Sequence, residues 1–236
     1  MKNSKRILIF PLTAFFFLLI IAVACKKEDE PEPTPDPLPV PVTVKDIDGN
    51  IYHTVTIGTQ TWMLENLKVT HYRNGDPIPH ITDTIQLANL TTGAYINYKN
   101  NSANSDIYGR LYNWYAVVDG PLLAPEGWHI PSQNEWQILI DYLGGDTIAG
   151  AKLKEVGTNH WQAPNTGATN ESGFTALPGG LCWGTFADIG LAGLFWSSTE
   201  VDASAAICMI MFNSNIKALD VNYFKNANIS VRCIKD

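Results

Sequence analysis

The chain has 236 residues, a formal charge of −7 and 45% hydrophobic residues. An acidic balance with no local basic stripe excludes nucleic acid and anionic lipid headgroups as partners. The length beyond residue 41 suits one domain able to bury a real core, and with no HExxH helix or phosphate loop in the chain no cofactor is expected.

Lys2, Lys5 and Arg6 form a basic head, residues 7–23 are an almost unbroken apolar run, and Ala22 and Ala24 lead into Cys25. That order marks a secretory signal peptide. The run holds Pro11 and Thr13 and, at 17 residues, is short of the roughly 20 that span a bilayer. Small residues followed by a cysteine and a polar tail resemble a bacterial lipoprotein lipobox. The resemblance implies cleavage after residue 24, with Cys25 as the acylated mature N-terminus. An uncleaved anchor and an ordinary signal peptide are the alternatives, and in every case the chain leaves the cytoplasm. Loss of residues 1–24 removes three positive charges and no negative ones, taking the net charge from −7 to −10.

Residues 26–30 form a short Lys-acidic patch, and Pro31, Pro33, Pro35, Pro37, Pro39 and Pro41 alternate with other residues. Alternate prolines hold a chain near polyproline II, at about 3.1 Å per residue, so residues 25–41 read as a semi-rigid stalk. Its charged start resembles the surface-export signal of Bacteroidetes-type lipoproteins, which implies an outer-membrane lipoprotein facing outward; a periplasmic orientation stays open.

From residue 42 the chain reads as strands. Asp46, Asp48, Gly49 and Asn50 make a polar turn, and Ile51, His53, Val55 and Ile57 alternate after it, as in a hairpin. The Asp-x-Asp-Gly start lacks the glycine at position six and the glutamate at position twelve of an EF-hand, so it is a turn. Residues 71–105 are rich in Thr, Asn and Gly without a sustained period, and residues 108–118 place Leu111, Trp114, Tyr115 and Val118 at helical spacing, predicting a core helix.

Ser132 and Glu135 form a capping box ahead of Trp136, Leu139, Ile140 and Leu143, and Gly144-Gly145 stops that helix. Asp146 is placed to cap a second helix through Ala149, Leu153 and Val156. Strands are expected at 174–177, 194–197, 205–212 and 229–234. Early strands, middle helices and a late antiparallel run make an α+β domain over 42–236, with two or three helices and long irregular loops.

Seven tryptophans lie beyond the stalk, and most should be core. Cys182, Cys208 and Cys233 permit one bridge at most; Cys208 with Cys233 is a guess, and none is close enough to another for a zinc or copper hook.

Six ordered blocks carry a family resemblance: DGNIYHTVTIGTQTWMLENL (48–67), YGRLYNWYAV (108–117), GWHIPSQNEWQIL (127–139), GAKLKEVGTNHWQAPNTGATNESGFTALPGG (150–180), FWSSTE (195–200) and ISVRCIKD (229–236). They resemble the Fibrobacter succinogenes major paralogous domain family, which implies secreted and surface lipoproteins and no established catalysis. Residues 127–136 also resemble the GWRLPTEAEWE segment of sulfatase-modifying-factor domains, and residues 230–233 their closing strand. That likeness implies a C-type-lectin-like fold. It does not carry an enzyme over, because those oxidases need two neighbouring thiols and this chain has none.

On that fold the loops after the second helix are the expected contact surface. Asn159, His160, Trp161, Asn165, Asn170 and Glu171 cluster there in sequence, and a tryptophan beside amides suits a glycan. The same residues equally suit a loop that only holds itself together. Ala163-Pro164-Asn165 lacks the acid of a calcium lectin's Glu-Pro-Asn, so no metal is expected. The function expected is a non-catalytic surface module binding glycan or protein, with a structural, fimbria- or matrix-associated component as the alternative. Exposed aromatics in loops 84–104 and 184–193 would favour sugar, and a flat apolar patch would favour protein.

Overall fold

The computed structural model describes residues 43–120 and 122–236, so the leader, Cys25 and the stalk lie outside the described residues. Strand β1 (Thr43–Lys45) pairs antiparallel with β2 (Ile51–Ile57), which turns over Gly58 into β3 (Gln60–Met63). The first turn is held by Asp46, whose carboxylate accepts from Asn50 N (2.9 Å), Asn50 Nδ2 (2.8 Å) and the Tyr52 hydroxyl (2.6 Å). The buried side of β2 changes along its length: Tyr52 enters one core cluster and Ile57 another, while Ile51 is exposed. Simple alternation therefore misplaced Ile51.

Residues 71–105 contain short elements: α1 (Thr84–Leu87), β4 (Tyr95–Ile96), a 3-10 turn (Tyr98–Asn100), and the start of α2 (Ser102–Tyr108). The core helix expected at 108–118 is not there. Gly109, at φ 77°, ends α2, β5 (Leu111–Tyr112) pairs with β4, and Asn113 accepts from Ala116 N to start α3 (Trp114–Val117). Val118 is exposed, because one helical turn does not carry it back to the core.

After β6 (Trp128–His129), the capping box forms as read: in α4 (Gln133–Tyr142) Ser132 Oγ accepts from Glu135 N, and the Glu135 carboxylate accepts from Ser132 N. Trp136, Leu139 and Ile140 face inward. Helix α5 (Ala149–Leu153) is shorter than expected, and Ile148, not Asp146, is its N-cap. Asp146 instead accepts from Ala218 N through its backbone carbonyl (2.9 Å). Lys154 leaves the helix to bridge Ala176, so Val156 is exposed. Gly150 lies so close to residue 217 that a β-carbon would sit 2.1 Å from the Lys217 carbonyl oxygen.

The remaining strands are β7 (Leu181–Cys182), β8 (Phe186–Ala187), β9 (Ala192–Glu200), β10 (Ala205–Phe212), β11 (Leu219–Phe224) and β12 (Ile234–Lys235). Two larger antiparallel sheets result, β1-β2-β3-β12-β6 and β11-β10-β9, with small ribbons β4-β5 and β7-β8. No strand forms at 174–177, where only Ala176 makes a bridge.

The strand expected at 229–234 is reduced to β12 for an informative reason. Asn228 exchanges hydrogen bonds with Cys182, and Ile229 with Tyr112; Ser230 O accepts from Trp196 N, Val231 O from Leu67 N, and Cys233 O from Met63 N. The segment divides its bonds among four strands and the loop at Leu67 instead of running along one neighbour, and all of 227–233 is buried. Around it packs an aromatic cluster: Trp62 lies 4.7 Å from Trp136 and 5.6 Å from Phe174, and Phe195 lies 5.9 Å from Trp136. The Arg232 guanidinium lies 4.3 Å from the Phe174 ring centre and donates to Asn66 Oδ1 at 3.0 and 2.8 Å. Cys182, Cys208 and Cys233 are all buried free thiols, so the guessed Cys208–Cys233 bridge does not form.

Candidate binding surface

The loop after α5 places the six expected contact residues differently from one another. Trp161 is 1% exposed, and its indole N–H donates to Ala176 O (2.9 Å). Lys154 packs 5.4 Å from the Trp161 ring centre and donates to three carbonyls, of Thr166 (3.1 Å), Phe212 (3.0 Å) and Asn215 (2.8 Å). Burial pulls this ammonium down to about 8. Asn165, at φ 41°, donates through Nδ2 to Glu155 O and Gly157 O. Asn170, at φ 49°, accepts from Thr175 N and donates to Thr175 Oγ1. His160 is 2.8 Å from Glu155 and edge-on to Tyr108.

Only Asn159 and Glu171 are exposed, so the six do not converge on one surface. Trp161 is corrected from a sugar-stacking ring to a core ring, since neither of its faces is open. Asn165, Asn170 and His160 latch the loop. Glu171 points outward beside Lys152, with Oε2 3.9 Å from Nζ.

The open aromatic surface lies elsewhere. Trp183 stands at the turn between β7 and β8, where its N–H donates to Thr185 O (3.0 Å). Its ring stacks on Phe224, the last residue of β11, with centres 4.7 Å apart and planes 20° from parallel. Trp183 is 44% exposed and Phe224 48%. Beside them, Thr84 Oγ1 donates to Gly184 O (2.7 Å), which holds α1 against the turn and leaves Ile85 64% exposed. Asp83 caps that short helix through Ile85 N and Gln86 N. Lys225, next to Phe224, is buried over the Trp114 ring (4.6 Å) and pairs with Glu200, which anchors the strand end.

Leaving a large ring half in water forgoes on the order of 1 kcal/mol of burial each. The two loops singled out in the sequence do not supply these rings: Tyr95 and Tyr98 are buried, and Phe186 is half-buried. Trp183 precedes the second of those loops by one residue. A tryptophan wedged against a Gly-Thr turn was the available signal.

The histidines are scattered, each with its own partner. His53 is 2.7 Å from Glu65, His71 2.5 Å from Asp48, and His129 2.7 Å from both Glu135 and Asp236. His80 stacks on Tyr95 at 4.7 Å. Burial pushes the Cys182 thiol up to about 12 and raises Cys208 and Cys233 too, so all three are protonated and poor nucleophiles at neutral pH. Among the described residues no group of three or more His, Cys, Asp or Glu is placed to hold a metal ion. No helix among them is long and apolar enough to cross a membrane.

Small antiparallel sheets gathered on one buried closing segment, few and short helices, and long latched loops define a mixed α+β domain. The chain belongs to the Fibrobacter succinogenes major domain family, whose model matches residues 55–235. No curated protein and no solved structure matches it.

Proposed function

We propose that this protein is an outward-facing outer-membrane lipoprotein, tethered to the membrane by acylated Cys25, whose domain is a non-catalytic binding module for glycan or surface-protein ligands. The carrying observation is the stacked, half-exposed Trp183–Phe224 pair with Ile85 beside it. Aromatic rings held rigid by a turn and a strand end supply contact area at low entropic cost, which is why such side chains are enriched where proteins bind others. A C-type-lectin-like arrangement agrees with the two helices α4 and α5 standing between early strands and a last strand that returns to β3. The protonated buried thiols and the scattered histidines support a role without catalysis.

The test is capture of the full chain, in mild detergent, on a combined glycan and surface-protein array. Capture should occur on at least one ligand class and fall sharply in a Trp183→Ala, Phe224→Ala double variant. Unchanged capture by that variant, or none by the parent, rejects the reading. Capture on protein alone favours the structural, matrix-associated role.

A further inference from the structure

On another part of the surface, the β2–β3 turn, the end of α4 and the loop after α5 border a cleft of about 350 Å³. Its lining includes Thr56, Gly58, Tyr142, Lys152, Glu171 and Ser172. Tyr142 is 66% exposed, the most open of the large hydrophobic side chains among the described residues. Its ring lies directly on Gly58, where a β-carbon would meet ring atom Cδ2 at 2.9 Å. The positive φ of 60° at Gly58 and this close approach both require glycine, so the turn is shaped to seat the ring. One part of the ring is braced by backbone while the rest opens to solvent.

The polar lining is of two kinds. Ser172 Oγ donates to Lys152 O (2.7 Å) and accepts from Phe174 N, and Thr56 Oγ1 shares a hydrogen with Thr61 Oγ1 (3.1 Å); these groups are committed to the fold. Lys152 Nζ and Glu171 Oε2 are not, since at 3.9 Å they attract one another without a hydrogen bond. A donor and an acceptor therefore stand beside an exposed ring with capacity left to bond a ligand, and their charges cancel.

We infer that this cleft binds a neutral pyranose unit of a polysaccharide. The C–H face of the sugar stacks on Tyr142. Of two neighbouring hydroxyls, one accepts from Lys152 Nζ and the other donates to Glu171 Oε2. Because the two charges cancel, the cleft offers a charged sugar no net attraction. Four polar residues around a single open ring do not fit a protein hot spot, which needs a desolvated apolar centre. The inference rests on the binding-module reading but occupies a different place from the Trp183 surface.

The experiment is affinity electrophoresis of the full chain through gels containing glucan, mannan, galactan or xylan, with polygalacturonate as the charged comparison. At least one neutral polysaccharide should retard the parent. Tyr142→Ala should weaken that retardation about tenfold, the loss of one aromatic stacking contact, while Tyr142→Phe keeps most of it. Glu171→Gln should weaken it without touching the ring, and a thermal melt checks that each variant is folded. Retardation by polygalacturonate alone, by nothing, or undiminished from the parent in Tyr142→Ala and Glu171→Gln overturns the inference. If Trp183→Ala abolishes binding while the Tyr142 and Glu171 variants bind normally, the cleft is rejected and the module reading stands. If neither set matters, both fall.

Discussion

Lys154 spends its three ammonium hydrogens on three carbonyls from separate segments, at residues 166, 212 and 215, with no carboxylate bonded to it. Burial lowers its pKa to about 8, so the folded state holds fewer protons than the unfolded chain between pH 8 and roughly 10.4, and stability from this group rises with pH there. The three thiols act oppositely. Their folded pKa values are raised, so their contribution is complete below the unfolded value of about 8.5 and is lost as pH rises. The buried hydroxyls of Tyr52 and Tyr112, also raised by burial, act with the thiols, so the protein should lose stability as pH rises from 8 to 10. Lys154→Met, which removes the one opposing ammonium, should lose stability more steeply over the same range. Urea titrations under reducing conditions at pH 8, 9 and 10 measure both slopes, and a flat parent profile would contradict the burial of the thiols. None of this was legible in the sequence. Trp161 beside amides reads the same whether the ring lies in a core or on a surface, because residue type records chemistry and leaves burial to tertiary contacts.

At the scale of elements, what local chemistry specifies was legible, and what neighbours specify was not. The α4 start is local: Ser132 and Glu135 satisfy each other's turn three residues apart. Burial pushes the Glu135 carboxyl up, but the Ser132 N–H and hydroxyl and the His129 ring outweigh it and hold it below the usual range. That contribution is present above the unfolded carboxylate value and is lost on acidification. Burial likewise pushes His129 down, but its bonds to Asp236 and Glu135 leave it raised, so its share is lost as pH climbs past its folded value. The box is therefore strongest in mildly acidic solution. Ser132→Ala should cost about 1 kcal/mol in a urea titration at pH 6, the usual loss for a capping side chain. An unchanged midpoint would mean the helix start is set by packing alone. The helix expected at 108–118 failed because Gly109 and Asn113 interrupt a spacing that apolar residues alone make look continuous. The missing strand at 229–233 failed because its partners are three different strands and the loop at Leu67, which no periodicity encodes.

For the whole molecule, the α+β class and family followed from element order and from blocks spread along the chain, and the match over 55–235 agrees with both. The proposed binding surface did not follow, because Trp183, Phe224 and Ile85 come from three distant segments that only the fold brings together. The proposed tether is tested at this scale too. Cys25→Ser should move the protein from the membrane pellet to the soluble fraction of the envelope, and unchanged fractionation would reject acylation at that residue.

The buried closing segment has one more consequence. Strands β3, β6 and β9 and both small ribbons take hydrogen bonds from residues 228–235, which follow nearly the whole domain in the chain. Contacts so distant in sequence form slowly. A ribosome that has released everything up to residue 227 still holds an incomplete head, lacking the strand between β3 and β6 and the partner along the edge of β9. Under the export proposed above, which demands an extended polypeptide, this architecture would withhold compaction until transit is nearly over.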